Sequence, residues 1–142
     1  MADAPITALH QVNSGILDVL SGYETLKDRA DPEILPTARE MEDLHRRHQS
    51  DIAARLRAHG EDTDDGTLRG TVNKVATTLR DWAGSLDRDA LSFVRQGEEM
   101  LLAVYDAALE AWPAAEAPED RALVARQADE LRARALALPK AA

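Results

Sequence analysis

Apolar residues in this chain recur every three or four positions, and nowhere do they alternate with the period of two that a half-buried strand needs. That spacing commits the fold to helices. Across residues 5–29, Leu9, Val12, Ile16, Val19, Leu20, Tyr23 and Leu26 fall on one helical face. The run stops at Asp31-Pro32, where proline disfavours helix in the residue before it and suits the first turn of the next. A second helix is expected over 32–59, with Asp31 as its N-cap and Ile34, Ala38, Met41, Leu44, Ile52 and Leu56 on one face. His59-Gly60 is a strong stop, because glycine tolerates the left-handed backbone that closes a helix. Residues 60–67 form an acidic loop, and a shorter helix is expected over 68–82 (Leu68, Val72, Val75, Ala76, Leu79, Trp82), capped by Thr67 and broken at Gly84-Ser85. Two more helices follow, over 88–112 after Asp87 and over 118–138 between Pro118 and Pro139.

The links at 30–31 and 113–117 are short, so the first two helices and the last two should each form an antiparallel hairpin. The stretch 60–86 is far longer than an up-down bundle requires. Hairpin, long crossover with its own short helix, hairpin is the connectivity of an all-α, ferritin-like four-helix bundle. At 142 residues the chain makes one such domain, and with aromatics at only 4% its core must be built from Leu, Ala, Val and Ile.

Charge and composition exclude several functions. Seventeen basic against 26 acidic side chains give a net charge of −9, which repels nucleic acid and anionic membranes. The absence of cysteine removes disulfides, thiolate nucleophiles and thiolate metal sites, so any metal would rest on His and carboxylates. No apolar run is long enough to span a bilayer, and Met1-Ala2-Asp3-Ala4-Pro5 lacks the character of a signal peptide, so a cytoplasmic location is expected. Asp62-Thr63-Asp64-Asp65-Gly66 hints at a calcium loop, but its glycine register is wrong and the twelfth position lacks Glu. Arg46, Arg47, Arg55 and Arg57 are read as a surface ion-pair flank, His10 as exposed, and Tyr23, Tyr105 and Trp112 as packing residues.

Function in a helical bundle sits where polar side chains interrupt the apolar seam. His45 falls at the centre of the second helix's apolar face and Glu98 at the centre of the fourth segment's, between Val94 and Leu102. Glu42-Asp43-Leu44-His45 has the Glu-x-x-His spacing that puts a carboxylate and an imidazole on one face, as carboxylate-bridged metal centres require. The candidate metal set is therefore Glu42, His45, Glu98 and Glu130, with iron or manganese as the ion. The set is incomplete, because Ala133 stands where the last helix should carry His and the first helix offers only Glu24 and an outward Asp18. The competing arrangement is an inner polar network of His45, Glu98, Gln127 and Arg134, in which Arg134 neutralises Glu98 and no cofactor is held.

Met41 to His48, then Asp65-Gly66-Thr67-Leu68-Arg69-Gly70-Thr71-Val72, then Gly97-Glu98-Glu99 through Tyr105-Asp106-Ala107-Ala108-Leu109, resemble an uncharacterised bacterial family of ferritin-like four-helix domains, distantly akin to the rubrerythrin and ferritin group. The resemblance spans about 8–138 and implies the bundle without an established activity. In that family pattern a His follows Thr-Val, where this chain has Asn73, and another lies late in the last helix, near Ala135; both departures count against a metal. The sequence thus favours a non-enzymatic bundle acting through a protein partner or self-association, with a stress-linked role implied by analogy alone. A metal-binding protein or oxidase is the alternative.

Overall fold

A computed structural model describes residues 3–63 and 86–139. The expected helix over 68–82, Trp82 and the Gly84-Ser85 break lie outside the described residues. Four helices account for nearly all the rest: α1 (Ala4–Arg29), α2 (Leu35–Ala58), α3 (Arg88–Glu110) and α4 (Pro118–Ala135). Among the described residues there is no strand, only an isolated bridge between Ala30 and Leu86.

The boundaries differ from the sequence reading where prolines and caps decide them. α2 begins at Leu35 rather than residue 32, and its N-cap is Ile34 instead of Asp31. Pro36 sets this limit. Its ring would collide with a helical carbonyl four residues earlier, so it is tolerated only in the first turn. Residues 32–34 make a turn instead, in which the Asp31 carbonyl accepts from Ile34 and Leu35. At the other end, Gly60 adopts φ +78, donates to Arg57 O (2.9 Å), and Glu61 N reaches back to Leu56 O (2.9 Å). These two bonds are a Schellman closure, as the His59-Gly60 pair leads one to expect. Asp87 caps α3 by accepting from Asp89 N at 3.0 Å. α3 and α4 each stop short of the expected 112 and 138, because Pro113 and Pro139 push the preceding turn out of α-helix. Trp112 N bonds Leu109 O and Leu138 N bonds Ala135 O in that tightened geometry.

The helices form a ring in which α1 lies against α2 and α3, while α4 lies against α3 and, less extensively, α2. Direction follows from the contacts at the ends. Asp31 N donates to Leu86 O (2.9 Å) and Leu86 N to Arg29 O (3.1 Å), so α3 starts where α1 ends. Arg55 and His59 at the end of α2 both reach Asp120 at the start of α4. The order is therefore up-down-down-up, and α2 ends at the opposite end of the bundle from the start of α3.

The core is aliphatic, as the low aromatic content demands. Leu9, Val12, Ile16 and Leu26 of α1 meet Leu44, Ile52 and Leu56 of α2, Leu91, Val94 and Leu101 of α3, and Val124 and Leu131 of α4. Val19, Leu20 and Leu102, expected in the seam, are only partly buried. α1 and α3 approach closely at Gly15, where an added Cβ would stand 2.9 Å from Leu101 Cδ1. Gly15→Ala needs only a shift of that side-chain tip, and it gains helix propensity of about 1 kcal/mol, so it should leave the urea midpoint nearly unchanged. Gly15→Val, which overpacks the same contact, should cost about 1–3 kcal/mol in the same measurement.

Candidate functional site

The apolar seam is interrupted where the sequence places His45 and Glu98, and both side chains are fully enclosed. His45 Nε2 lies 2.8 Å from Glu98 Oε1 and 2.9 Å from Oε2. A carboxylate only accepts, so Nε2 carries the proton and donates. A third partner comes from α1: the Tyr23 hydroxyl donates to Glu98 Oε1 at 2.6 Å. Burial, followed by the charge and hydrogen bond of Glu98, pushes the Tyr23 phenol well above its ordinary range, which keeps the donor protonated. The Tyr23 and His45 rings also meet, tilted, with centroids 5.7 Å apart. Three helices thus converge on one carboxylate.

A second polar group links α2, α3 and α4. Gln127 accepts from the Tyr105 hydroxyl (2.7 Å) and donates to the His48 backbone carbonyl (3.2 Å). Burial, then Glu98 and Glu130, raises the Tyr105 phenol out of the titratable range. His48 Nε2 bonds Glu130 Oε1 at 2.6 Å, with His48 buried and Glu130 45% exposed, so this pair runs from the interior to the surface. Burial lowers the His48 pKa despite the neighbouring carboxylate. The His48 hydrogen bond holds the Glu130 carboxyl below its usual range.

The candidate metal residues are not gathered around one point. Glu42 turns toward α1, taking Lys27 Nζ at 2.9 Å and Arg46 Nη2 at 3.2 Å. Burial alone would raise its carboxyl, but these two cations outweigh it and leave it lowered. His45 and Glu98 pair with each other, and Glu130 pairs with His48 and, at 3.8 Å, Arg47. Among the described residues no group of three or more His, Asp or Glu side chains is arranged to hold a metal ion. Among the described residues four buried side-chain nitrogens have no hydrogen-bond partner: Nδ1 of His45, Nδ1 of His48, and the Nε atoms of Arg95 and Arg121.

Arg134 is a correction to the sequence reading. It does not reach Glu98 but lies half exposed, 3.7 Å from Glu40 on α2. The buried line of α4 runs through Val124, Gln127, Ala128, Leu131 and Ala135, which leaves position 134 at the edge of the helix. His10 is also corrected: it is half buried and bonds Glu61 at 2.9 Å. Asp18, expected to point outward, is partly buried, and that burial raises its pKa.

The sequence reading missed four polar roles. Tyr23 and Tyr105 read as packing residues in the sequence, yet both hydroxyls donate hydrogen bonds inside the core. Asp120, almost fully buried, takes Arg55 and, at 2.7 Å, His59, although its place in a first turn reads as ordinary dipole chemistry. Arg95, buried beside Val94, donates to Leu136 O (3.3 Å) and Leu138 O (2.8 Å), satisfying carbonyls at the end of α4. Its one-residue offset from the Leu91–Val94–Glu98 stripe was the available signal.

With this geometry in view, the chain can be placed among known proteins. Residues 4–111 match the family described as Domain of unknown function (DUF2383), and the chain belongs to that family. Among solved structures it is similar to a conserved hypothetical protein from Mycobacterium tuberculosis, with 18% sequence identity, a TM-score of 0.68, and coverage of 96% of this chain and 95% of that one. At that identity the likeness speaks to the fold. No functionally curated protein matches the sequence significantly. None of the described helices is long and apolar enough to cross a membrane.

Two outcomes follow from the site. Tyr23→Phe removes a hydrogen bond to a buried carboxylate and should cost about 1.5–3 kcal/mol in urea unfolding, whereas Arg134→Ala should stay within about 0.5 kcal/mol. Acid should destabilise the fold in two stages. His48 has a depressed folded pKa, so the unfolded chain binds more protons and stability falls as pH drops through its unfolded value of about 6.5. Glu130 and Glu42 are also depressed, so their contributions, present at neutral pH, are lost below about pH 4.3. Urea midpoints taken from pH 8 down to about pH 2.5 should show both stages, and His48→Gln should remove the upper one.

Proposed function

We propose that this protein is a ferritin-like helical bundle without a catalytic centre of its own. In this reading its interior polar residues serve structure, and it acts in the cytoplasm through a protein partner or by self-association. The ferritin-like assignment rests on the up-down-down-up order, with residues 59–87 connecting opposite ends of the bundle. The observation that carries the non-enzymatic reading is the state of Glu98: both of its oxygens face N–H or O–H donors from His45 and Tyr23. Glu42 and Glu130 are likewise engaged by cationic or imidazole groups. Carboxylates already satisfied by protein donors form a hydrogen-bonded network, and a network of this kind fixes helix register.

One observation favours the second reading, an iron- or manganese-binding protein or oxidase using Glu42, His45, Glu98 and Glu130. An imidazole that donates one nitrogen to a carboxylate leaves the other as a free lone pair, the usual posture of a metal-ligating histidine. His45 and His48 both have such an unpartnered Nδ1. Glu42 opposes this reading, since a metal would have to draw it away from Lys27 and Arg46.

Metal content separates the two. Protein expressed in iron- and manganese-supplemented medium and purified without chelator should contain metal well below one equivalent by mass spectrometry, with a melting temperature unchanged by chelator. One or two equivalents, lost in Glu98→Ala, would overturn the leading reading. Light scattering on the same material reads self-association directly.

A further inference from the structure

The four seams of the bundle are not alike. α1 and α3 come together at Gly15, where Leu101 fills the space a side chain would take, and their ends are joined by backbone hydrogen bonds between Arg29, Asp31 and Leu86. Each of them is also bound to its hairpin mate, α1 to α2 and α3 to α4. The α2–α4 edge is different. These helices touch least among neighbouring pairs, and polar contacts cross between them along the whole length. From one end to the other these are Glu40–Arg134 (3.7 Å), Arg47 and His48 with Glu130 (3.8 and 2.6 Å), Gln127 with the His48 carbonyl (3.2 Å), and Arg55 and His59 with Asp120. Most of these groups are partly exposed, so water can replace their bonds at little cost as the helices part. The α1–α3 seam, closed by apolar packing, backbone bonds at its end and the enclosed Tyr23–Glu98 hydrogen bond, has no such cheap substitute.

We propose that the bundle opens like a book: the two hairpins are the covers, α1–α3 is the spine, and the polar α2–α4 edge is the clasp. His45 travels with α2 and Glu98 with α3, so opening separates them and admits water or a small polar solute to the buried carboxylate. Glu130 and His48 mark the entrance, one half exposed and the other just behind it. Helices remain intact in this motion, which makes it distinct from fraying or global unfolding.

The chain contains no cysteine, so single introduced thiols report opening without interference. Ala128→Cys on α4 and Ala53→Cys on α2 place thiols in the covers, and Ala90→Cys places one beside the Leu86 bridge at the spine; all three positions are buried. In native buffer, the thiols at 128 and 53 should react with a small disulfide reagent about ten-fold or more faster than the one at 90. Adding Asp120→Asn and Glu130→Gln should accelerate the first two further and leave the third unchanged. Either cover reporter carries the comparison if the other variant loses its helical circular dichroism. Equal rates at all positions, matching the rate of global unfolding, would overturn the proposal, as would fastest labelling at the spine.

Discussion

The enclosure of Glu98 is the constraint around which the rest of the bundle is arranged. A carboxylate removed from water costs several kcal/mol unless its lone pairs are met, and Glu98 lies fully enclosed among apolar side chains. The partners must come from other helices. Tyr23 descends from α1 and His45 crosses from α2, each within hydrogen-bond distance of the same carboxylate. A slip of either helix by one turn, about 5.4 Å, would leave that carboxylate facing aliphatic side chains. Leu and Val seams tolerate such slips far better, because one apolar neighbour can replace another. In an aliphatic bundle with few aromatics to act as shaped keys, this polar contact supplies the register that packing alone leaves loose.

From that centre the electrostatics grade outward. The Gln127 amide ties α3 and α4 to the α2 backbone without any charge. His48 and Glu130 come next, an imidazole kept neutral by burial and a carboxylate kept ionised by its hydrogen bond. Last come the buried Glu42 and Asp120 carboxylates, each held by partners at the rim, Lys27 and Arg46 for the first and Arg55 and His59 for the second. In a chain with a net charge of −9, Lys27, Arg46, Arg47 and Arg55 go to these buried or half-buried carboxylates, three of the four from α2. The arginines of that helix stay at the surface, as the sequence leads one to expect, with Arg46, Arg47 and Arg55 each reaching a carboxylate from there.

Helix period, proline punctuation and the Gly60 stop were legible because each is local: it depends on a few residues and on backbone sterics. His45 and Glu98 were legible as inward residues for the same reason, since position on a helical face is also local. Their pairing was not. The sequence offers Arg134 as the partner of Glu98 and Tyr23 only as packing, and whether Arg134 reaches the carboxylate turns on a rotation of α4 by about 100°, one residue's worth. No periodicity fixes that rotation when a helix has a weak apolar face and an inward glutamine. Pro36 shows the opposite failing, a local signal that was present in the sequence and outweighed by the more conspicuous Asp31-Pro32.

The Glu-x-x-His spacing illustrates why a motif underdetermines chemistry. It guarantees that Glu42 and His45 leave α2 on neighbouring faces, but not that they turn toward one another. What each meets is set by the helix opposite. Lys27 on α1 stands across from Glu42 and draws it to the rim, whereas Glu98 on α3 stands across from His45 and holds it in the core. A metal centre requires several lone pairs aimed at one point with no proton donor between them. In this structure the carboxylates face other partners: Glu98 meets His45 Nε2 and the Tyr23 hydroxyl, Glu42 meets Lys27 Nζ, and Glu130 meets His48 Nε2. The inward Nδ1 atoms of His45 and His48 are the exception, and they lie on the far side of each imidazole from its carboxylate. A two-residue spacing therefore fixes which side chains share a helix face, and the helices opposite decide what each of them meets.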